Sequence, residues 1–293
     1  MRGLMRALWR TFGSAFIALA MAAALAMVAA PAVLIVAAGA TLLLPQAKIV
    51  AAKEAFPPLP ESLTFIDRFR TLDDSRWHFS DGWNNGTWME NDWRRDALSI
   101  TPNGLAITMR PNPPGPDRRP FMSGELQSRE LYLYGYYEAS MRIPNGPGLI
   151  SALFTYVKPH DNSTWEEIDI EFMGARPRLM ELTYHVHGFS KQETINLGFD
   201  PSQSFNTYGF EWTPTALRWY VNNQLVHEVT DARVQRLRRP QRYYLSLWGT
   251  IELWRWAEAL NPADAPWVME VSCVARAERY EGRSICASPR RDP

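Results

Sequence analysis

Residues 164–172 read TWEEIDIEF, a stretch in which acidic and apolar side chains alternate. Successive side chains of a β-strand point to opposite faces of its sheet. The stretch is therefore predicted to be a strand with one largely apolar face and one acidic face. The apolar face carries Glu166, Ile168, Ile170 and Phe172. The acidic face carries Trp165, Glu167, Asp169 and Glu171. If the apolar face fills a sandwich interior, the acidic face lines a groove or faces solvent.

The row of acids is unusual because like charges side by side weaken a sheet and raise one another's pKa. Two carboxylates that flank a sugar bond are the usual equipment of glycoside hydrolysis, in which one is the nucleophile and the other the proton donor. Three acids on one face also suit Ca²⁺, and a solvated face beside arginines is a third interpretation. The pattern favours catalysis and leaves the other two interpretations open.

From residue 63 onward, short segments of period two recur between turn signals, which is typical of an all-β domain. Residues 98–111 predict a hairpin that turns at 102–104, and residues 217–229 predict another that turns at 222–223. Further strands are predicted at 133–143, 149–157, 180–188, 207–212 and 243–249. A short helical turn is predicted within 232–239. The predicted fold is an all-β, two-sheet antiparallel β-sandwich, a concanavalin-like jelly roll.

The N-terminal segment is predicted to direct the chain to a membrane. Arg2, Arg6 and Arg10 precede an uncharged run over residues 11–47. This run is longer than a secretory h-region of ~7–15 residues and long enough for a spanning helix of ~20 residues. Residues 1–47 are interpreted as a hydrophobic helix that is a signal peptide or a transmembrane signal anchor. Basic residues before the span predict an exported protein, on the periplasmic side of the inner membrane or secreted after cleavage.

The charge balance argues against a nucleic-acid ligand. The chain has 31 basic and 31 acidic residues, and four of the basic ones lie before residue 51, which leaves 27 basic against 31 acidic residues. This mild negative excess lacks the basic footprint of nucleic-acid binding.

The chain contains two cysteines, Cys273 and Cys286. In an exported protein they predict a disulfide, with two free thiols as the alternative. Neither cysteine has the His and Cys neighbours that a structural metal site requires.

The acidic strand and its surroundings resemble family 16 glycoside hydrolases, in particular the bacterial lichenases (endo-β-1,3-1,4-glucanases). The resemblance starts from EIDIE at 167–171, with Trp165 before it and FMG after it. Further segments agree in order: SGELQS (123–128), YGYYEASMR (134–142), GLISALFTYV (148–157), NLGFD (196–200), YGFEW (208–212), LRWYVNNQLVHEV (217–229) and LSLWGT (245–250). The C-terminal half is most similar to exported endoglycanases that trim bacterial exopolysaccharides such as succinoglycan.

The resemblance implies a jelly-roll sandwich whose concave sheet holds the substrate cleft, and a retaining double-displacement mechanism. It covers about residues 63–275. Residues 48–62 are accordingly interpreted as a Pro-rich linker, 63–280 as the catalytic domain and 281–293 as a C-terminal tail.

By position, the resemblance implies a role for each acid: Glu167 as nucleophile, Asp169 as assisting acid and Glu171 as general acid/base. It implies sugar contacts for Trp83, Asn85, Glu125, Trp165 and Trp248. The chain departs from the lichenase pattern at substrate-contacting positions. Gln127 replaces an Arg, Ser246 an Asn, and Thr183-Tyr184-His185 an Asn-Tyr-Tyr run. His185 is a further substrate-binding candidate, with a packing role as the alternative.

The predicted function is therefore that of a retaining endo-β-glycanase acting on β-1,3/1,4-linked glucan or a bacterial exopolysaccharide. The departures argue against plain cereal-type β-glucan as its natural substrate. A transglycosylase on the same scaffold and a non-catalytic carbohydrate-binding protein are the alternatives. The predicted partner is a β-linked polysaccharide, the predicted state a monomer, and no cofactor is expected. No metal is predicted, because Ser272 replaces the Asp that binds the family's structural calcium.

Overall fold

The computed structural model describes residues 61–158 and 165–287. The predictions for residues 1–47, and most of the predicted linker, lie outside this part of the chain. The described residues form seventeen strands: β1 (Leu63–Asp67), β2 (Trp77–Phe79), β3 (Asn91–Trp93), β4 (Leu98–Thr101), β5 (Gly104–Pro111), β6 (Phe121–Ser123), β7 (Glu125–Ser128), β8 (Gly135–Arg142), β9 (Leu149–Val157), β10 (Glu166–Met173), β11 (Leu179–Val186), β12 (Phe189–Asn196), β13 (Asn206–Trp212), β14 (Leu217–Val221), β15 (Gln224–Val229), β16 (Arg242–Gly249) and β17 (Trp267–Ala277).

Helical structure in this part of the chain is limited to one α-helical turn, α1 (Trp254–Ala257), and three 3₁₀ turns. The 3₁₀ turns are Arg95–Ala97, Val234–Arg236 and Pro262–Asp264. The second lies in the segment 232–239 where a helical turn was predicted. Among the described residues, no helix has the length and apolar character that crossing a membrane requires.

The strands form two sheets, which confirms the predicted all-β sandwich. The seven-stranded sheet has the order β12-β11-β10-β9-β16-β7-β2, and each neighbouring pair is antiparallel. The ten-stranded sheet follows the path β15-β14-β13-β8-β17-β5-β6-β3, with β1 beside β17 and β4 beside β5. One pairing in the ten-stranded sheet departs from the antiparallel pattern, because the short strands β3 and β6 pair in parallel.

Both predicted hairpins form, and their turn residues show why. Asn222 and Asn223 connect β14 to β15 with φ angles of 47° and 71°, in the left-handed region that Asn tolerates. Gly104 ends the turn between β4 and β5 with φ +117°, and a Cβ there would lie 2.4 Å from the carbonyl oxygen of Val271. Only glycine fits that close approach.

The two sheets enclose a core rich in aromatic side chains. The fully buried tryptophans of this core are Trp77, Trp212 and Trp219. Tyr137 of the ten-stranded sheet stacks on Phe210 with ring centroids 5.0 Å apart and meets Tyr243 of the other sheet edge to face at 5.5 Å. Burying one large apolar side chain contributes roughly 2–3 kcal/mol, so these aromatics account for much of the attraction between the sheets.

Residues after β17 fold back onto the ten-stranded sheet. Cys286 forms the predicted disulfide with Cys273 of β17. The carboxylate of Glu138, which is 0% exposed, accepts hydrogen bonds from the Ser284 hydroxyl (2.8 Å) and the Cys286 backbone N–H (2.6 Å). Residues 284–286 belong to the predicted C-terminal tail, and these bonds fix them to the sheet.

Candidate active site

Strand β10 presents three carboxylates on one face of the seven-stranded sheet and apolar side chains on the other. The apolar side chains, each at most 2% exposed, are Ile168, Ile170 and Phe172. The carboxylates, which line a cleft, are Glu167, Asp169 and Glu171. Strands β9 and β11 pair with β10 on its two sides, so the acids lie within the sheet rather than at its edge.

Glu166 lies at the start of the apolar face and is 1% exposed. Its carboxylate accepts hydrogen bonds from the backbone N–H groups of Arg238 and Arg239, at 2.9 and 3.1 Å. The guanidinium of Arg239 also lies 3.6 Å from this carboxylate. Paired in this way, Glu166 can remain in the interior beside the cleft without taking part in it.

The cleft has a volume of about 610 Å³ and is lined by β7, β9, β10, β16 and the segment before β3. That volume is in the range of small-ligand sites. Its aromatic lining residues are Trp83, Trp88, Trp93, Phe154, Tyr156, Tyr244 and Trp248. Flat apolar rings around a row of acids suit a sugar chain, because pyranose faces pack on aromatic rings while sugar hydroxyls bind carboxylates.

Glu167 and Asp169 share a hydrogen bond, and Trp165 hydrogen-bonds the carboxylate of Glu167. Burial and the charge of Asp169 raise the pKa of Glu167 well above its ordinary value. Burial and the charge of Glu171 raise the pKa of Asp169 in the same direction. Both shifts favour a proton shared between the two carboxyls, while the Trp165 hydrogen bond favours the charged form of Glu167.

Glu171 is the member of the row that is suited to donate a proton. Burial, together with the charges of Glu167 and Glu181, raises its pKa to about 8. Glu181 lies directly opposite Glu171 in the β10–β11 pairing. A carboxyl with this pKa is protonated at neutral pH, as a general acid must be before catalysis begins.

His185 of β11 lies opposite Glu167 and joins the acidic cluster. Its Nε2 atom is 3.4 Å from Oδ2 of Asp169, and its Nδ1 atom is 2.6 Å from the hydroxyl of Ser190. Its ring lies against Trp165 with centroids 5.8 Å apart. When protonated, His185 lowers the pKa of both Glu167 and Glu171.

Glu125 of β7 occupies the same cleft but is separate from the β10 row. It is 5% exposed, and it accepts a hydrogen bond of 2.6 Å from the Ser80 hydroxyl. Burial raises its pKa to about 7. Its neighbour Gln127 also lines the cleft and accepts a hydrogen bond from the Tyr244 hydroxyl at 3.1 Å.

Residues 85–269 match the family model described as Glycosyl hydrolases family 16. The chain belongs to glycosyl hydrolase family 16. Two curated proteins illustrate its relatives. A Beta-glucanase of Bacillus licheniformis is 34% identical over 68% of this chain and 79% of its own length. The Endo-1,3-1,4-beta-glycanase ExoK of Rhizobium meliloti is 36% identical over 72% of this chain and 78% of its own length.

A solved structure of this family has the same architecture. The Bacillus licheniformis beta-glucanase aligns with a TM-score of 0.67 at 31% sequence identity, over 73% of this chain and 98% of its own. This likeness confirms the jelly-roll prediction for the described strands. Family membership and these relatives identify the chain as a glycoside hydrolase.

The structure brings most of the predicted site residues of this family 16 chain to one place. Lining the cleft with the β10 acids are Trp83, Asn85, Glu125 and Trp248. Trp165 and His185 reach the cluster through their contacts with Glu167 and Asp169. The individual chemical roles stay predictions.

Several residues of the site were not predicted. In the cleft lining they are Trp88, Trp93, Tyr156, Lys158 and Tyr244. Next to the lining they are Glu181, opposite Glu171, and Trp256, beside Trp248. Trp88, Trp248 and Trp256 form a continuous aromatic wall, with centroids 5.1 Å apart in the first pair and 6.0 Å in the second. The unusual Trp density of residues 83–93 and 248–256 was the available signal. Which rings meet depends on strand pairings that have no local sequence signature.

One group of potential metal ligands occurs among the described residues: Glu167, Asp169 and His185, whose ligand-type atoms lie within 4.8 Å of one another. All three belong to the acidic cluster already described. A metal held there would compete with a sugar for the same carboxylates, and we assign none to the site.

Proposed function

We propose that this chain is a retaining endo-β-glycanase that cleaves β-1,3/1,4-linked glucan or a β-linked bacterial exopolysaccharide at internal bonds. The observation that carries the proposal is the row formed by Glu167, Asp169 and Glu171 on the floor of an aromatic cleft of about 610 Å³. The beta-glucanase and endo-glycanase names of its relatives point to the same substrate class.

The roles follow from the environment of each acid. In the first step, the carboxylate of Glu167 attacks the anomeric carbon, and the bond to the leaving oxygen breaks as Glu171 gives that oxygen its proton. In the second step, Glu171 takes a proton from water, whose oxygen attacks the anomeric carbon and releases Glu167. Each turnover consumes one water and returns both carboxyls to their starting states.

Asp169 lies between the two reacting acids and hydrogen-bonds Glu167. It can hold the shared proton while Glu167 is charged, and it limits the rotation of the nucleophile. Trp165 supplies a second hydrogen bond to Glu167. Both contacts prepare the nucleophile before a sugar arrives, which lowers the reorganisation needed in the transition state.

Three cleft positions support a substrate other than plain cereal-type β-glucan. Gln127, Ser246 and His185 differ in size, in charge or in both from the residues of the lichenase pattern. Gln127 removes a cation from the neighbourhood of Glu125, and His185 introduces one beside Asp169 when it is protonated. A substituted exopolysaccharide would meet this altered pattern of charge.

The first experiment measures new reducing ends after incubation of the full chain, purified in mild detergent, with two polymers. These are mixed-linkage β-1,3-1,4-glucan and succinoglycan-type exopolysaccharide. Glu167→Gln should lower turnover by at least ~10³-fold while polymer binding persists, because the nucleophile is lost and its shape is kept. Glu193→Gln, the same change on the exposed strand β12, is the matched control.

The stereochemistry of the product tests the mechanism independently. Proton NMR of the first product formed should show the β-anomer, which then mutarotates. An α-anomer as first product would rule out double displacement. Substantial turnover by Glu167→Gln would rule out Glu167 as nucleophile.

We also propose that the catalytic domain is exported and held at the membrane by residues 1–47. The three arginines before an uncharged run support this location. The Cys273–Cys286 disulfide is a further support, since such bonds persist in oxidising compartments. Cell fractionation should place the protein in the membrane fraction, with its domain open to protease added from the periplasmic side.

A further inference from the structure

Glu181 is a buried acid next to the catalytic row that the proposed mechanism does not use. It lies on β11 directly across from Glu171 and is 3% exposed. Strand pairing places directly opposed side chains with Cβ atoms ~4.5–5.5 Å apart. The β10–β11 pair thus carries a fourth carboxylate, beside the acid that is proposed to protonate the leaving sugar.

The carboxylate of Glu181 also holds a tryptophan that packs against the cleft lining. The indole N–H of Trp256, in α1, donates to Oε2 of Glu181 at 2.7 Å. The side-chain amide of Gln192 donates to the same oxygen. Trp256 in turn lies 6.0 Å from Trp248, ring to ring. Glu181 therefore connects the catalytic strand pair to the aromatic wall.

A glutamine at position 181 would satisfy both donors, because its amide oxygen accepts hydrogen bonds as a carboxylate does. It would also avoid the repulsion that two acids directly opposite each other bring to a sheet. A neutral acceptor would therefore give the same anchoring with a more stable pair of strands. The property that only a carboxylate adds at this position is its negative charge.

We propose that Glu181 is a positioning residue whose negative charge keeps Glu171 protonated before each turnover and whose carboxylate fixes Trp256 against Trp248 of the cleft lining. This inference rests on the proposed role of Glu171 as general acid. The first effect sets the upper pH limit of hydrolysis, and the second sets the affinity for the polymer.

The other ionisable groups around Glu171 define what the test must separate. On β10 and β11 they are Glu167, Asp169 and His185. On β7, β9 and β16 they are Glu125, Tyr156 and Tyr244, and directly after β9 comes Lys158. Opposite Glu171 on β9 is Ala152, which carries no charge. Changing Glu181 alone leaves all of these groups in place.

The test is the pH profile of kcat/KM for the wild type and Glu181→Gln, since this ratio reports the ionisation of the free enzyme. Coulomb's law for charges ~6 Å apart at an effective dielectric constant of ~20–40 gives a shift of roughly one to two pH units. The basic limb of Glu181→Gln should move down by that amount. Glu193→Gln should keep the wild-type limb.

Two further variants separate charge from anchoring. Glu181→Asp keeps the charge but shortens the reach to Trp256, so the basic limb should stay in place while KM rises. Trp256→Phe removes the N–H donor and keeps a smaller aromatic ring, so it too should raise KM without moving the limb. Thermal melting of every variant identifies any loss of folding.

A direct titration distinguishes failure of this inference from failure of the proposed function. The ¹³C shift of the Glu171 carboxyl, assigned by its loss in Glu171→Gln, is followed against pH without substrate. A lower midpoint in Glu181→Gln supports the inference even if neither polymer is cleaved. Identical midpoints in Glu181→Gln and wild type would overturn it, even if the enzyme hydrolyses both polymers.

Discussion

Glu125 allows a quantitative test of the free-energy cost of burying an acid in the cleft. Its pKa is raised from 4.5 to about 7, chiefly by burial, while the Ser80 hydroxyl acts in the opposite direction. Between these two values the folded protein binds a proton that the unfolded chain releases. Stability must therefore fall as the pH rises through this interval.

The size of this loss of stability follows from the pKa shift of Glu125. A difference of about 2.5 units at 1.36 kcal/mol per unit corresponds to about 3 kcal/mol, to be lost between about pH 4.5 and pH 7. Glu125→Gln keeps the shape and the acceptor for Ser80 but cannot ionise. The wild type should therefore lose about 3 kcal/mol more than this variant when the pH is raised from 4 to 8.

The assay is urea denaturation of both proteins at several pH values, analysed by linear extrapolation. The raised pKa values of Glu167, Asp169 and Glu171 contribute to both proteins, so the difference between the two curves isolates Glu125. Glu193→Gln controls for the loss of one formal charge and should follow the wild type. Parallel curves for wild type and Glu125→Gln would refute the claim that Glu125 is desolvated in the folded protein.

Three further perturbations test other features. Replacing Cys273 and Cys286 by serine removes a disulfide between residues 13 positions apart. The free energy of unfolding, measured by urea titration, should fall by about 3 kcal/mol. An unchanged urea midpoint would contradict this prediction. Gly148→Ala should lower the melting temperature by more than 5 °C. The φ angle of Gly148 is +72°, and the Cβ of an alanine there would lie 2.2 Å from the Leu260 backbone nitrogen. A melting curve identical to that of the wild type would contradict this prediction. Trp248→Ala should weaken polymer binding by roughly 10-fold in calorimetry, since one aromatic platform of the cleft is lost, and an equal affinity would exclude stacking at this residue.

Individual strands and tight turns could be predicted because they depend on residues that are neighbours in the sequence. Alternation in 164–172 determines the two faces of β10, and the paired asparagines at 222–223 mark a tight turn. The polar strand β12 was not predicted. It is an edge strand with mostly exposed side chains, so burial imposes no alternation on it.

The candidate site divides in the same way. The three acids lie on one strand and share a face by geometry alone, and the resemblance added Glu125 and Trp248. Glu181 was not predicted because its position opposite Glu171 depends on the register of β10 against β11. That register is set by the connection between the strands and by the core packing of both. Tyr244 and Trp256 depend in addition on the order of strands in the sheet.

The position of β17 has a consequence for how the protein is made. This strand lies between β5 and β8 and also pairs with β1, yet it leaves the ribosome after the sixteen other described strands. Until it arrives, β5 and β8 each present an open edge, and the ten-stranded layer remains in separate pieces. The sandwich can therefore close only after nearly the whole domain has been synthesised. A nascent chain that stops before Trp267 is expected to be a substrate for proteases rather than a weak enzyme.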